Sequence, residues 1–258
     1  MLRVNPFLFR FFVLFAMLTI SPLLNVEDSF GSDKNRCSDE INTESQSDRA
    51  REAAKVLGEI MRVPENGIPK ELMDRADAIA VIPHVMKAAL GFGGRWGKGL
   101  VSHRMDDGSW STPSFIDISG GSFGPQIGIN ATDLVLVFTD HDGFKGLLRG
   151  KLKLSGEAEA AAGPLGRNAS AGTDILLRSG VLAYSRSKGL FAGVSLDGSV
   201  VTIDDSGNRK VYGDDLDGED ILLRARAKSN DVVEPFEDAL NRYSPNQTAR
   251  QKPQICCP

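Results

Sequence analysis

The side chains best suited to chemistry lie far apart along this chain. Its three histidines are His84, His103 and His141. None forms the H-E-x-x-H pattern that puts two imidazoles on one helical face around a metal, so spacing alone marks no metal site. Ser195 sits in Gly193-Val194-Ser195-Leu196-Asp197. A nucleophile elbow needs glycine where Asp197 stands, because the serine rides a sharp strand-to-helix turn. The glycine-dense run Gly91–Gly99 also falls short. A phosphate-cradling loop ends in Gly-Lys and then a hydroxyl residue that holds Mg2+; here Gly99 follows Lys98. Trp96 fills the last glycine place of a dinucleotide fingerprint. Asp215, Asp217, Glu219 and Asp220 have the composition of a calcium loop, but Gly218 is at the wrong offset for an EF-hand. With no nucleophile, base and oxyanion donor grouped together, neither catalysis, nor a cofactor, nor a metal is expected.

What remains is positive charge beside apolar residues. Lys145, Arg149, Lys151 and Lys153 alternate with Leu147, Leu148, Leu152 and Leu154. On a strand, Lys151 and Lys153 share one face and Leu152 and Leu154 the other. Cations beside apolar surface can meet anionic headgroups and acyl chains together; a solvated strand face is the alternative. A second set, Arg49, Arg51, Lys55 and Arg62, lies in the segment Asp48–Arg62. There Ala50, Ala53, Ala54, Leu57, Ile60 and Met61 recur at helical spacing. That stripe either packs on a sheet or is available to a bilayer, and Glu52 and Glu59 dilute the charge beside it. The whole chain has 30 basic and 34 acidic residues, net −4. That balance excludes a broad nucleic-acid surface, which needs a basic domain.

The elements that must carry these residues follow from composition and pattern. At 41% hydrophobic and 25% charged, the chain is neither disordered nor collagen-like. Arg3 and Arg10 precede the apolar run Phe11–Ile20, as in an export signal. The uncharged run Phe11–Val26 is shorter than the roughly 20 residues of a membrane-spanning helix. Cleavage is expected near Gly31, after Ser29-Phe30-Gly31; an uncleaved anchor is the alternative. Residues 32–47 read as a polar linker and 245–258 as a polar tail. Cys37, Cys256 and Cys257 flank the chain's centre and imply no disulfide framework.

Between linker and tail, one domain is expected over residues 48–244. A helix over 48–62, capped by Ser47 or Asp48, is followed by a short one from Pro69 to about Ala76. Strands are expected at Ala78–Pro83, around an Asp107-Gly108 hairpin turn, at Asp133–Asp140, and from Ile175 onward. Turns are placed at Ser187-Lys188-Gly189 and Asp197-Gly198. Residues 143–150 read as a short helix or turn, Asp204–Asp220 as an acidic stretch in which Asp215, Asp217, Glu219 and Asp220 form a solvated loop, and Val232–Ser244 as an amphipathic helix. Strands joined by tight turns, with helices at both ends, predict an α+β fold: an antiparallel β-sheet or barrel-like core with N- and C-terminal amphipathic helices.

Several stretches carry a likeness to a known family. They are AIAVIP from Ala78, GKGLVSHRMDDGSWSTPSFI from Gly97, GPQIGINATDLVLVF from Gly124, AGPLGRN from Ala162, YSRSKGLFAGVSLDGSVV from Tyr184, NRKVYG from Asn208 and DALNRYS from Asp238. In these the chain resembles the SYLF-domain family, over about Arg49 to Tyr243. The resemblance implies a non-catalytic phospholipid-binding module. Eukaryotic members bind phosphoinositides, and yeast members bind and bundle actin and contact the actin-nucleation machinery. It also implies membrane contact through an N-terminal amphipathic helix, which transfers to Arg49, Arg51, Lys55 and Arg62. With an export signal ahead of the domain, as in exported bacterial-type members, the expected setting is the periplasm or cell envelope. The expected partners there are an anionic phospholipid surface and an envelope protein, not actin. A protein-interaction or scaffold module without direct lipid binding is the alternative.

Overall fold

Two long antiparallel strands organise the molecule. A computed structural model describes residues 31–63, 67–154, 161–162, 180–187, 190–193, 196 and 198–245. The expected export signal, Ser195, and the tail with Cys256 and Cys257 lie outside the described residues. β1 (Ala78–His103) and β2 (Ser114–Phe138) pair from Ala78↔Phe138 to Val101↔Ser114. Their connection is the expected Asp107-Gly108 turn. Gly108 has φ +81, and the Asp107 carboxylate accepts the Ser109 backbone N–H at 2.8 Å; glycine adopts that left-handed conformation at little cost.

β2 is the central strand. On the edge away from β1 it pairs with β5 (Val181–Ser187) near its C-terminal end and with β7 (Ser199–Ile203) near its start. β3 (Leu152–Leu154) adds to β7, β4 (Ala161–Ala162) runs parallel to β5, and β6 (Leu190–Gly193) closes a hairpin on β5. The result is a curled seven-stranded sheet, antiparallel at every other pairing. Register shifts at Ile82/Val85 and Leu90/Phe92 help bend β1. The curl returns the end of β1 to its beginning, so that the Arg104 N–H donates to the Asp77 carbonyl at 2.7 Å. Gly99 permits this closure: a Cβ there would stand 2.2 Å from the Val81 carbonyl oxygen.

Six helices accompany the sheet among the described residues. They are α1 (Gly31–Met61), α2 (Lys70–Arg75), α3 (His141–Leu148), α4 (Asp205–Tyr212), α5 (Gly218–Leu222) and α6 (Glu234–Tyr243). Alternation along the pleat sends Ile79, Val81, Val135 and Val137 into one hydrophobic cluster with Leu57 and Ile60 of α1 and Phe236 and Leu240 of α6. Ala78, Ala80, Ile82, Leu134 and Leu136 enter a second cluster with Phe144 and Leu147 of α3. Both faces of these strands are covered, which is why AIAVI and LVLVF are apolar at every position. Each fully buried Leu, Ile or Phe contributes roughly 1.5–3 kcal/mol. The end of α6 is locked by polar contacts as well. Arg104 lies over the Trp110 ring at 4.1 Å and donates to Ser244, whose carbonyl accepts the Trp110 indole N–H at 2.9 Å.

Two expectations are corrected in this architecture. The helix expected from Asp48 begins at Gly31 and runs through residues read as a linker, so Ser47 and Asp48 are helix-interior positions and cap nothing. The acidic stretch Asp204–Asp220 is solvated only in part: Asp214, Asp215 and Asp217 are exposed, but Asp220 is buried. It holds α4 and α5, with Asp204 and Asp217 as N-caps that accept the Gly207 and Asp220 N–H groups at 2.8 and 2.7 Å. Asn208 then fastens α4 to β2: its carbonyl accepts the Phe115 N–H at 2.8 Å and its amide donates to the Ser114 hydroxyl at 3.0 Å.

Candidate interaction surface

The apolar stripe of α1 faces the protein. Ala53, Leu57 and Ile60 are fully buried and Met61 is partly buried, all packed in the cluster shared with the sheet and α6. Gly58 lets the two helices approach, with the Tyr243 hydroxyl in contact range of the Cβ it lacks. Of the two roles open to this stripe, packing on the sheet is the one it has.

The four cations of α1 have separate fates. The Arg49 side chain is 10% exposed, with its guanidinium 5.4 Å from the centre of the Phe115 ring and donating to Asp204 at 3.1 Å. Burial would raise the Asp204 pKa, but the Gly207 N–H, Arg49 and Lys98 together hold that carboxyl below its ordinary value. Arg49 is therefore a clamp between α1 and the start of α4. Arg51 and Lys55 are exposed and pair along the helix with Asp48 and Glu52. Glu59 dilutes no surface charge, because it is bound to Arg186 of β5. Arg62 lines a groove of about 540 Å³ between α1 and α6, with Lys55, Glu59, Asp238, Arg242 and Tyr243.

The second cationic set stays together. Asp140 caps α3 by accepting the Gly143 N–H at 2.6 Å, and Phe144 and Leu147 fix the helix in the core, which leaves Lys145 and Arg149 outside. Gly150, at φ +90, turns the chain into β3. There Leu152 and Leu154 point inward and Lys151 and Lys153 outward, as the alternation predicted. All four cations are exposed on one α3–β3 corner. Lys145 pairs with Asp142 at 2.6 Å, and Arg149 acts on the same carboxylate more weakly. β3 is also the edge of the sheet, where lysines have a second use in discouraging strand addition.

Comparison with known proteins places this geometry in a family. A family model described as "Ysc84: Las17-binding protein actin regulator" matches residues 119–243, from near the start of β2 to the end of α6. LAS seventeen-binding protein 3 of Saccharomyces cerevisiae is 35% identical over 212 residues, covering 78% of this chain and 46% of its own length. The chain belongs to the SYLF family. Protein YSC84 of Saccharomyces cerevisiae is 36% identical over 194 residues, covering 72% of this chain and 41% of its own. SH3 domain-containing YSC84-like protein 1 of Homo sapiens is 35% identical over 203 residues, covering 75% and 59%. The chain thus spans about half the length of the curated relatives it matches. The description of the family model names Las17 binding and actin regulation, and the name of the first of these relatives names LAS seventeen binding. The single α+β domain expected from the pattern of strands, turns and helices is the one observed.

The sequence reading missed the role of Arg49, although a signal was there. Arg49 lies four residues before Ala53 and eight before Leu57, on the buried stripe and not beside it. It also missed the meeting of two histidines, for which sequence spacing carries no signal.

Proposed function

We propose that this SYLF domain is a non-catalytic docking module that meets anionic phospholipid headgroups through the α3–β3 corner. The observation that carries the reading is the exposure of Lys145, Arg149, Lys151 and Lys153 on that one corner. At roughly 1 kcal/mol per basic residue near an anionic surface, such a corner supports weak, reversible docking. The buried stripe of α1 argues against the entry of that helix into a bilayer. No helix among the described residues is long and apolar enough to cross a membrane. Residues 1–31 serve as an export signal in this reading, which makes the cell envelope the site of docking.

The deciding experiment is flotation on vesicles of phosphatidylcholine with and without phosphatidylglycerol. The parent floats with the anionic vesicles at low salt. Lys151→Glu with Lys153→Glu loses at least tenfold in binding without a change in melting temperature. Equal flotation of parent and variant overturns the reading. Mass spectrometry of the exported protein tests the leader: a start near Ser32 supports cleavage, and an intact Met1 supports an anchor.

A second reading, a protein-binding scaffold, is favoured by the names of the relatives. The groove between α1 and α6 is the surface it would use. Lipid-independent capture of a defined partner, abolished by a bulky residue at Gly58 in a folded variant, would establish it.

A further inference from the structure

Asp77, His103 and His141 come from three separate places: the residue before β1, the last residue of β1 and the first residue of α3. Backbone hydrogen bonds bring those places together. The Arg104 N–H donates to the Asp77 carbonyl at 2.7 Å, and the Asp77 N–H donates to the Phe138 carbonyl at 2.9 Å, three residues before His141. As a result the Asp77 Oδ2 lies 3.7 Å from the His103 Nε2 and 3.5 Å from the His141 Nδ1. One ligating atom from each residue can be chosen so that all lie within 4.8 Å of one another.

The separations are too long for hydrogen bonds, and the His103 nitrogens and the Asp77 Oδ2 are buried. The His103 side chain is 10% exposed, and neither of its ring nitrogens has a hydrogen-bond partner. The Asp77 Oδ2 also lacks one. Buried polar atoms in native proteins are paired almost without exception, so the His103 Nε2 and the Asp77 Oδ2, two orphans facing each other, call for a common partner. The His103 ring is also held in place: it stacks on Phe144 at 4.9 Å and 14°, and Phe144 packs edge-on against Phe138. That is the rigid support a ligand needs.

We propose that Asp77, His103 and His141 bind one divalent transition-metal ion of the zinc class. Two imidazoles and a carboxylate suit such an ion, whereas calcium and magnesium take oxygen shells. Tetrahedral bonds of about 2.0–2.1 Å have an edge of about 3.4 Å, within a few tenths of an ångström of the two separations observed. His141 is half exposed, so a fourth position for water or an incoming ligand opens on the solvent side. The ion fastens the start of α3 to both ends of β1. The site stands whether or not the α3–β3 corner docks on lipid.

The test uses the full chain without an affinity tag, dialysed against chelator, with Cys37, Cys256 and Cys257 changed to Ser so that thiols do not compete. Titration with Zn2+ by calorimetry is expected to give one ion per chain. Co2+ is expected to give the intense visible bands of tetrahedral coordination. His141→Ala, at an exposed position, is expected to weaken Zn2+ binding by more than the 10–100-fold that loss of an outer-shell partner costs, with unchanged circular dichroism and metal-free melting temperature. Asp77→Asn is expected to do the same, and His84→Ala to have no effect. Failure of the parent to take up one Zn2+, or equal uptake by parent and His141→Ala, overturns the proposal.

Discussion

Arg49 of α1 donates to the Asp204 carboxylate at 3.1 Å, across 155 residues of sequence. Asp204 is at the same time the N-cap of α4 and the acceptor of Lys98 at 3.2 Å from β1. One buried carboxylate thus joins the N-terminal helix, the long hairpin and the helix after β7.

Removing Asp204 leaves the covered Arg49 charge uncompensated, which typically costs about 3–5 kcal/mol. Arg49→Met leaves Lys98 on Asp204 and is expected to lose about 1–3 kcal/mol in urea unfolding. Asp204→Ala should lose more, because the cap and Lys98 go with it. Equal stability of Arg49→Met and parent would contradict the clamp. Flotation of folded Arg49→Met on anionic vesicles should match the parent.

Acid should act through the same group. Asp204 has a folded pKa held below its ordinary 3.8, so the unfolded chain takes up its proton first. Its contribution is present above the unfolded pKa and is lost as pH falls through the folded one. Stability measured between about pH 5 and pH 2 should fall less steeply in Asp204→Asn than in the parent. Glu237 runs the other way. Burial, then the neighbouring Asp238 and Glu234, outweigh its bond from Ser229 and raise its pKa. Its contribution is lost as pH rises through that raised value, and Glu237→Gln should make stability less dependent on pH there.

Glycine substitutions should rank by geometry. Gly99→Ala places a methyl against the Val81 carbonyl and should cost about 3 kcal/mol or more, or prevent folding. Gly198→Ala meets the Gly121 carbonyl oxygen only at 3.3 Å but must hold φ +73, a strain of about 1–2 kcal/mol. Gly121 has no neighbour within 4 Å and no positive φ, so Gly121→Ala should be close to neutral. Thermal melts of the three variants check the order.

Charge reversal on α1 should be silent in lipid binding. Arg51→Glu with Lys55→Glu breaks two exposed pairs, each worth about 1 kcal/mol or less, and deletes no buried group. Flotation equal to the parent is expected. A loss as large as that of the β3 double variant would return the membrane contact to α1.

Much of this was readable from residues. Ala78–Ile82 and Leu134–Phe138 announce buried strands by continuous apolar runs, and Asp107-Gly108 announces their turn. The continuation of β1 through Gly91–Gly99 was not readable, because glycine carries no side-chain alternation. The helices at Asp205 and Gly218 were hidden for a related reason: their capping aspartates look like part of a solvated acidic run until the N–H groups they accept are seen. The exposure of Lys151 and Lys153 followed from strand period alone. The convergence of His103 and His141 depends on the curl of β1, a property of the whole sheet.

The pairing of α1 with α6 has a consequence for how the chain is made. Leu57 and Ile60 share their cluster with Phe236 and Leu240, so the two ends of the domain cover one face of the sheet together. During synthesis the β1–β2 hairpin can close locally, but this face stays open until Glu234–Tyr243 has emerged. Until then the nascent chain carries an uncovered apolar sheet, the kind of surface that aggregates or recruits chaperones.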